Sequence, residues 1–170
     1  MMDVLVVDGY NVIGDWDELM HLKRKDIGLA RTRLIEILME YQAFTGNRVI
    51  IVFDALYVKG VESRKSVNTV EVIYTKEDET ADECIERLVA SLKNVKNQVY
   101  VATSDYMEQR TIFSRGALRI SARELFIEIN SMDSAVKDQL QIQKRDRPKS
   151  TIPINGSVLA QFEKWRRGDS

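Results

Sequence analysis

A single cysteine and a single histidine deprive this 170-residue chain of several common chemistries. One thiol forms no internal disulfide, and Cys84 falls among Ile85, Leu88 and Val89 on what reads as the buried face of a helix, where an unactivated thiol is inert. A nucleophilic cysteine would want a histidine beside it, but His21 stands in an unrelated segment and reads as a solvated surface group. No apolar run approaches the roughly twenty residues that cross a bilayer, and no basic stretch precedes the first apolar run. The expectation is a cytoplasmic, monomeric protein with no membrane partner. The glycine-rich loop that cradles nucleotide phosphates is missing, as are internal repeats and low-complexity tracts. Net charge is −1, so long-range attraction to a polyanion cannot drive binding, and any nucleic acid must be held by local basic clusters.

What the chain does contain is a set of apolar runs that end in acids. Asp8 closes LVVD, Asp54 closes VIIVFD and Asp105 closes VYVATSD, while Asp82 in DETADE opens a helix. Strands that are apolar along their whole length belong to parallel sheets covered on both faces, and such sheets carry their chemistry at the carboxyl ends of the strands. Carboxylates gathered at one edge repel one another and cost desolvation, so a fold that converges four of them neutralises them with a hard cation such as magnesium. The acids point to metal-assisted phosphate chemistry. Each has a simpler alternative: Asp8, Asp54 and Asp105 as caps of the next turn, and Asp82 as a first-turn acid favoured by the helix dipole.

Strand and helix patterns alternate along the first two thirds of the chain. Asp3 to Asp8, Val49 to Phe53, Val70 to Tyr74 and Val99 to Ala102 read as strands, with a short fifth at Ala117 to Ile120. Ile27 to Thr45 reads as a helix with Ala30, Leu34, Ile37, Leu38 and Tyr41 at helical spacing, closed by Gly46-Asn47. Thr80 caps a helix to about Lys93, a further helix is expected over Asp105 to Phe113, and Ser121 starts a long one with Glu124 at the capping-box position. This order implies a right-handed, doubly wound α/β layer. From Ser131 the pattern turns polar, Arg147-Pro148 ends any helix, and Asn155 to Arg167 reads as a closing helix with Trp165 on its apolar side.

Asp8-Gly9-Tyr10-Asn11 narrows the chemistry. Glycine after the strand permits a tight turn beside a ligand, and Asn11 offers a neutral oxygen ligand or donor to the same site. An aspartyl phosphatase of the haloacid type would want an aspartate where Tyr10 stands, and a receiver domain would want paired acids in this loop and a late lysine.

DGYN, VFDA, ETADE and ATSD resemble the NYN branch of the PIN-like nucleases. With GNRVIIVFDA, TKEDETADE, ATSDYMEQ, GALRISARE and FEKWRRGD the resemblance extends over nearly the whole chain to the YacP group, ribosome-associated endoribonucleases of bacteria. It implies a PIN-like three-layer α/β fold with a mainly parallel central sheet, a nuclease domain over residues 1–130, and a C-terminal helical extension over 131–170 that packs on it. It also implies metal-dependent cleavage of messenger RNA at the ribosome. Carried over by position, Asp8, Asp82 and Asp105 become the ligands of magnesium or manganese, Asp54 a fourth, and Asn11 a positioning group of the catalytic set. Glu83 points about a hundred degrees from Asp82 round the helix and serves at most as a supporting group. Ser104 is placed to hydrogen-bond a carboxylate or phosphate.

RNA contacts are expected from Lys59, Arg64 and Lys65 in the loop after the second strand, and from Arg110, Arg115, Arg119 and Arg123. Arg166 and Arg167 beside Trp165 could engage ribosomal RNA. The competing functions are a non-catalytic RNA- or ribosome-binding module and a small-molecule phosphohydrolase.

Overall fold

Val, Leu and Ile fill both sides of the first two strands, and the two-residue period divides them between two cores. In the computed structural model, which describes residues 3–55, 64–67, 69–92, 98–104 and 116–145, β1 (Val4–Asp8) is buried throughout and β2 (Arg48–Phe53) is buried beyond its first residue. Leu5, Val7, Val49, Ile51 and Phe53 enter one core, whereas Val4, Val6, Ile50 and Val52 enter the other. Only a strand covered on both faces shows this pattern.

The remaining strands are β3 (Arg64–Val67), β4 (Val70–Tyr74), β5 (Val99–Ala102) and β6 (Leu118–Ile120), and the sheet order is β3-β4-β2-β1-β5-β6. β4, β2, β1, β5 and β6 run parallel, and β3 pairs antiparallel with β4. One face carries α1 (Gly9–Asp15), α2 (Asp17–Lys25), α3 (Ile27–Thr45) and the start of α5 (Ala122–Arg145). The other carries α4 (Ala81–Ser91), whose Ala81, Cys84, Ile85 and Val89 pack on the sheet. This is the three-layer α/β architecture with a mainly parallel sheet that the sequence implies. Cys84 is buried in the core as expected.

Local signals account for the helix ends. Asp26 accepts from the Gly28 amide at 2.8 Å to start α3, and Gly46 ends it in the left-handed conformation at φ 73°. Thr80 accepts from the Glu83 amide to start α4, and Ser121 accepts from the Glu124 amide at 3.0 Å to start α5. The Trp16 indole N–H donates to the Ala122 carbonyl at 2.8 Å, pinning the first turn of α5 beside the junction of α1 and α2.

One expectation needs correction. Arg64 and Lys65 are not in a loop: they open β3, the edge strand, which carries no apolar alternation and is held by backbone pairing to β4. Two helices, α1 and α2, occupy the chain between Asp8 and Ile27, where α1 is too short to show a period. The polar stretch after Ser131 stays helical to Arg145. The chain divides into two compact units, Met1–Met132 with the sheet, α1–α4 and the start of α5, and Asp133–Ser170, whose described residues are helical. The expected helices over 105–113 and 155–167 and the segment around Pro148 lie outside the described residues.

Candidate active site

The strand order creates the site. From β1 the chain builds outward to β2 and β4, then crosses on α4 to β5 on the opposite side of β1, so the direction of winding reverses between β1 and β5. Doubly wound sheets bind ligands in the crevice that opens there, beyond the strands' carboxyl ends. Asp8 is the last residue of β1 and is only 8% exposed. Thr103, directly after β5 and fully buried, donates its hydroxyl to Asp8 Oδ2 at 3.4 Å across the reversal point.

A second link runs beside the first. Asn11 Oδ1 accepts from the Ser104 amide at 2.7 Å, and the Ser104 hydroxyl donates to Asp15 Oδ2 at 2.5 Å. Asn11 and Asp15 are four residues apart on α1 and therefore share a helix face. Ser104 does bond a carboxylate, as its position suggests, but the partner, Asp15, is one the sequence reading missed. The i, i+4 spacing becomes a signal only with a helix over Gly9–Asp15, which is too short to announce itself by period.

Glycine at position 9 answers to packing rather than to a turn. A Cβ there would lie 2.3 Å from Phe53 Cε1 and 3.1 Å from the Val52 carbonyl oxygen, so only glycine lets α1 begin directly against β2. Phe53 is itself held between two rings, Tyr10 at 5.1 Å and Tyr74 at 5.7 Å between centroids. Arg31 donates to the Tyr10 hydroxyl at 3.1 Å. Burial raises the Tyr10 pKa above the ordinary tyrosine range, partly offset by Arg31, so the phenol stays neutral.

Asp82 lies in the first turn of α4, exposed, on a helix that packs against β1 and β2. The helix dipole there favours anionic groups. Asp54 follows β2. Asp8 pairs in register with Val52, so Asp54 lies two residues beyond it and one strand across, roughly 8 Å away along the backbone. Its charge is felt at Tyr10, where it raises the pKa. Asp105 lies outside the described residues, as do Lys59, Arg110 and Arg115. Among the described residues there is no group of three or more His, Cys, Asp or Glu placed to hold an ion.

The remaining basic candidates are split between the two edges of the sheet. Arg64 stands opposite Ile73 near the carboxyl end of β4, three strands from β1, or about 14 Å. Arg119 in β6 stands opposite Val101, two strands away on the other side, and Arg123 is exposed in the first turn of α5. These residues flank the acid centre on both sides and do not form one patch.

The chemistry of the crevice fits a hard cation. Among the described residues the side-chain oxygens linked there are those of Asp8, Asn11, Asp15, Thr103 and Ser104, with no thiol or imidazole, which suits magnesium or manganese.

Comparison with known proteins agrees with this architecture. Residues 5–167 match the family described as the YacP-like NYN domain. The chain is 51% identical over 168 residues to the uncharacterized protein YacP of Bacillus subtilis (strain 168), covering 99% of each. It also matches two crystal structures of Rae1 (YacP) from Bacillus subtilis. The TM-scores are 0.74 at 50% identity and, for a single-substitution variant, 0.76 at 47%, each covering 99% of this chain and 97% of the other. The fold is likewise that of the Rae1 structures, and the protein belongs to the YacP-like NYN domain family, a family of nuclease-type domains.

Proposed function

We propose that this protein is a metal-dependent endoribonuclease that cleaves messenger RNA in association with the translating ribosome. The observation that carries the reading is the buried carboxylate of Asp8 at the reversal point of a sheet whose family is a nuclease-type domain. Asp8, Asp82 and Asp105, with Asp54 farther out, would hold the ion, and Asn11, which accepts from the Ser104 amide, would position the segment leaving β5. A bound magnesium or manganese ion supplies a water of lowered pKa and charge for the phosphodiester oxygens. Asp8 contributes a fixed negative oxygen whose burial keeps it from exchanging partners with bulk water. The α4 N-terminus contributes a positive dipole end near the anionic substrate.

The test is cleavage of a defined RNA by purified protein, with and without EDTA. Retained RNA or ribosome binding without any cleavage would make it a binding module, and turnover of free nucleotides without RNA would make it a phosphohydrolase.

Ion binding has a thermal signature. A ligand bound only by the native state stabilises it, and magnesium or manganese at about a hundred times its dissociation constant is expected to raise the melting temperature by roughly 5–10 °C. EDTA should reverse the shift, and Asp8→Asn should shrink it. Melting that ignores millimolar metal contradicts a preformed site.

Binding to the ribosome has a salt signature. At net charge −1, affinity for free RNA is expected to be weak, with useful binding supplied by the basic positions acting together. Reversing both Arg64 and Lys65 to glutamate should weaken ribosome association about tenfold or more at low salt and flatten its dependence on salt, since fewer counterions are released. Metal affinity should not move. If the double variant sediments with ribosomes as wild type does at every salt concentration, β3 is not a docking strand, and the Arg119 to Arg123 edge takes its place.

A further inference from the structure

Two hydrogen bonds from one short helix converge on a single residue after β5. The Ser104 amide donates to Asn11 and the Ser104 hydroxyl donates to Asp15, both on α1, which starts directly after Asp8. A seven-residue helix thereby ties the carboxyl end of β1 to the segment leaving β5. The residue before Ser104 is Thr103, whose hydroxyl donates to Asp8. We propose that Asp15 is a positioning residue of the nuclease site: by accepting from the Ser104 hydroxyl while Asn11 accepts from the Ser104 amide, it fixes the segment leaving β5 against α1 and so holds Thr103 beside the Asp8 carboxylate that it hydrogen-bonds.

The observations favour this role over two others. Asp15 is exposed and Ser104 half-exposed, so a bond between them adds little to global stability; its distinctive consequence is orientation. Asp15 is also seven residues from Asp8, at the far end of α1, with its Oδ2 already engaged by the hydroxyl, which suits a support better than a ligand. Groups that orient a ligand change metal affinity or turnover about 10–100-fold when lost, even though they touch neither ion nor substrate.

The inference rests on the endonuclease reading, and one set of variants separates the two. Asp15→Ala, Ser104→Ala and the double variant are compared with Asp15→Asn, which keeps an acceptor oxygen but no charge. Two readouts are taken on the full chain: manganese affinity by electron paramagnetic resonance, and kcat and KM for RNA cleavage at saturating metal. Asp15→Ala and Ser104→Ala are each expected to weaken manganese binding and lower kcat about tenfold or more, with KM for RNA unchanged. The double variant should be no worse than either single one, because both remove the same bond. Asp15→Asn should recover to within a few-fold of wild type. Equal losses in Asp15→Asn and Asp15→Ala with none in Ser104→Ala would make Asp15 a ligand and overturn the proposal. Unchanged manganese affinity and kcat in all variants would overturn it too. A wild-type protein that binds manganese but cuts no RNA would refute the endonuclease reading alone, and the manganese titration would still decide for or against Asp15.

Discussion

Asp8→Asn is expected to lower RNA cleavage on the order of a thousandfold, equivalent to about 4 kcal/mol of transition-state stabilisation. The substitution keeps volume and shape, so it opens no cavity beside Val52 and Ala102. What it removes is the charge of the buried carboxylate in the described site. Neutralising an acid that faces other acids relieves repulsion, so the metal-free melting temperature should hold or rise while activity falls. Asp82→Asn should lose cleavage comparably with fold and ribosome association intact, because Asp82 is exposed and its helix is capped independently by Thr80. Asp54→Asn should be milder, in keeping with its position beyond the end of β2. Cleavage rates under single-turnover conditions beside thermal melts check all three, and wild-type cutting by Asp8→Asn or Asp82→Asn would remove that residue from the site.

Gly9→Ala should cost stability near the upper end of the about 1–3 kcal/mol typical of overpacking, or roughly 5–10 °C in melting temperature. Two effects oppose each other at this position. Alanine favours a helix over glycine by about 1 kcal/mol. The new methyl, however, would meet Phe53 ring carbons at 2.3 and 2.5 Å and the Val52 carbonyl at 3.1 Å. The Phe53 ring is fully buried and held by Tyr10 and Tyr74, so it cannot swing aside as an exposed side chain would. Steric conflict wins, and α1 must lift from β2, carrying Asn11 and Asp15 away from Ser104. Gly14 is the control: nothing lies within 4 Å of a Cβ there, so Gly14→Ala should stabilise by up to about 1 kcal/mol. Denaturant unfolding of the two variants tests the contrast, and a Gly9→Ala protein as stable as wild type would contradict it.

These residues also show how far sequence reading reaches. Continuous apolar runs in β1 and β2, the Asp26, Thr80 and Ser121 caps and the Gly46 stop are local signals, and each marks an element that forms where expected. The strand-end position of Asp8 follows from the same reasoning. The signals that failed depend on contacts distant in sequence. Gly9 looks like a turn glycine until Phe53, 44 positions on, is seen beneath it. Arg64–Val67 has no strand pattern of its own and becomes a strand only through β4. Asp15 is an unremarkable helix residue until β5 delivers Ser104 to it, 89 positions later. The two-edge split of Arg64 and Arg119 is set by strand order, which no local pattern records.

The most direct measurement is end-mapping of a defined message incubated with purified protein, magnesium or manganese, and translating ribosomes. New internal RNA ends are expected that disappear with EDTA, disappear with Asp8→Asn, and weaken when translation is blocked. A message that stays intact in the presence of protein, metal and translating ribosomes would contradict it, as would ends produced equally by the Asp8→Asn protein.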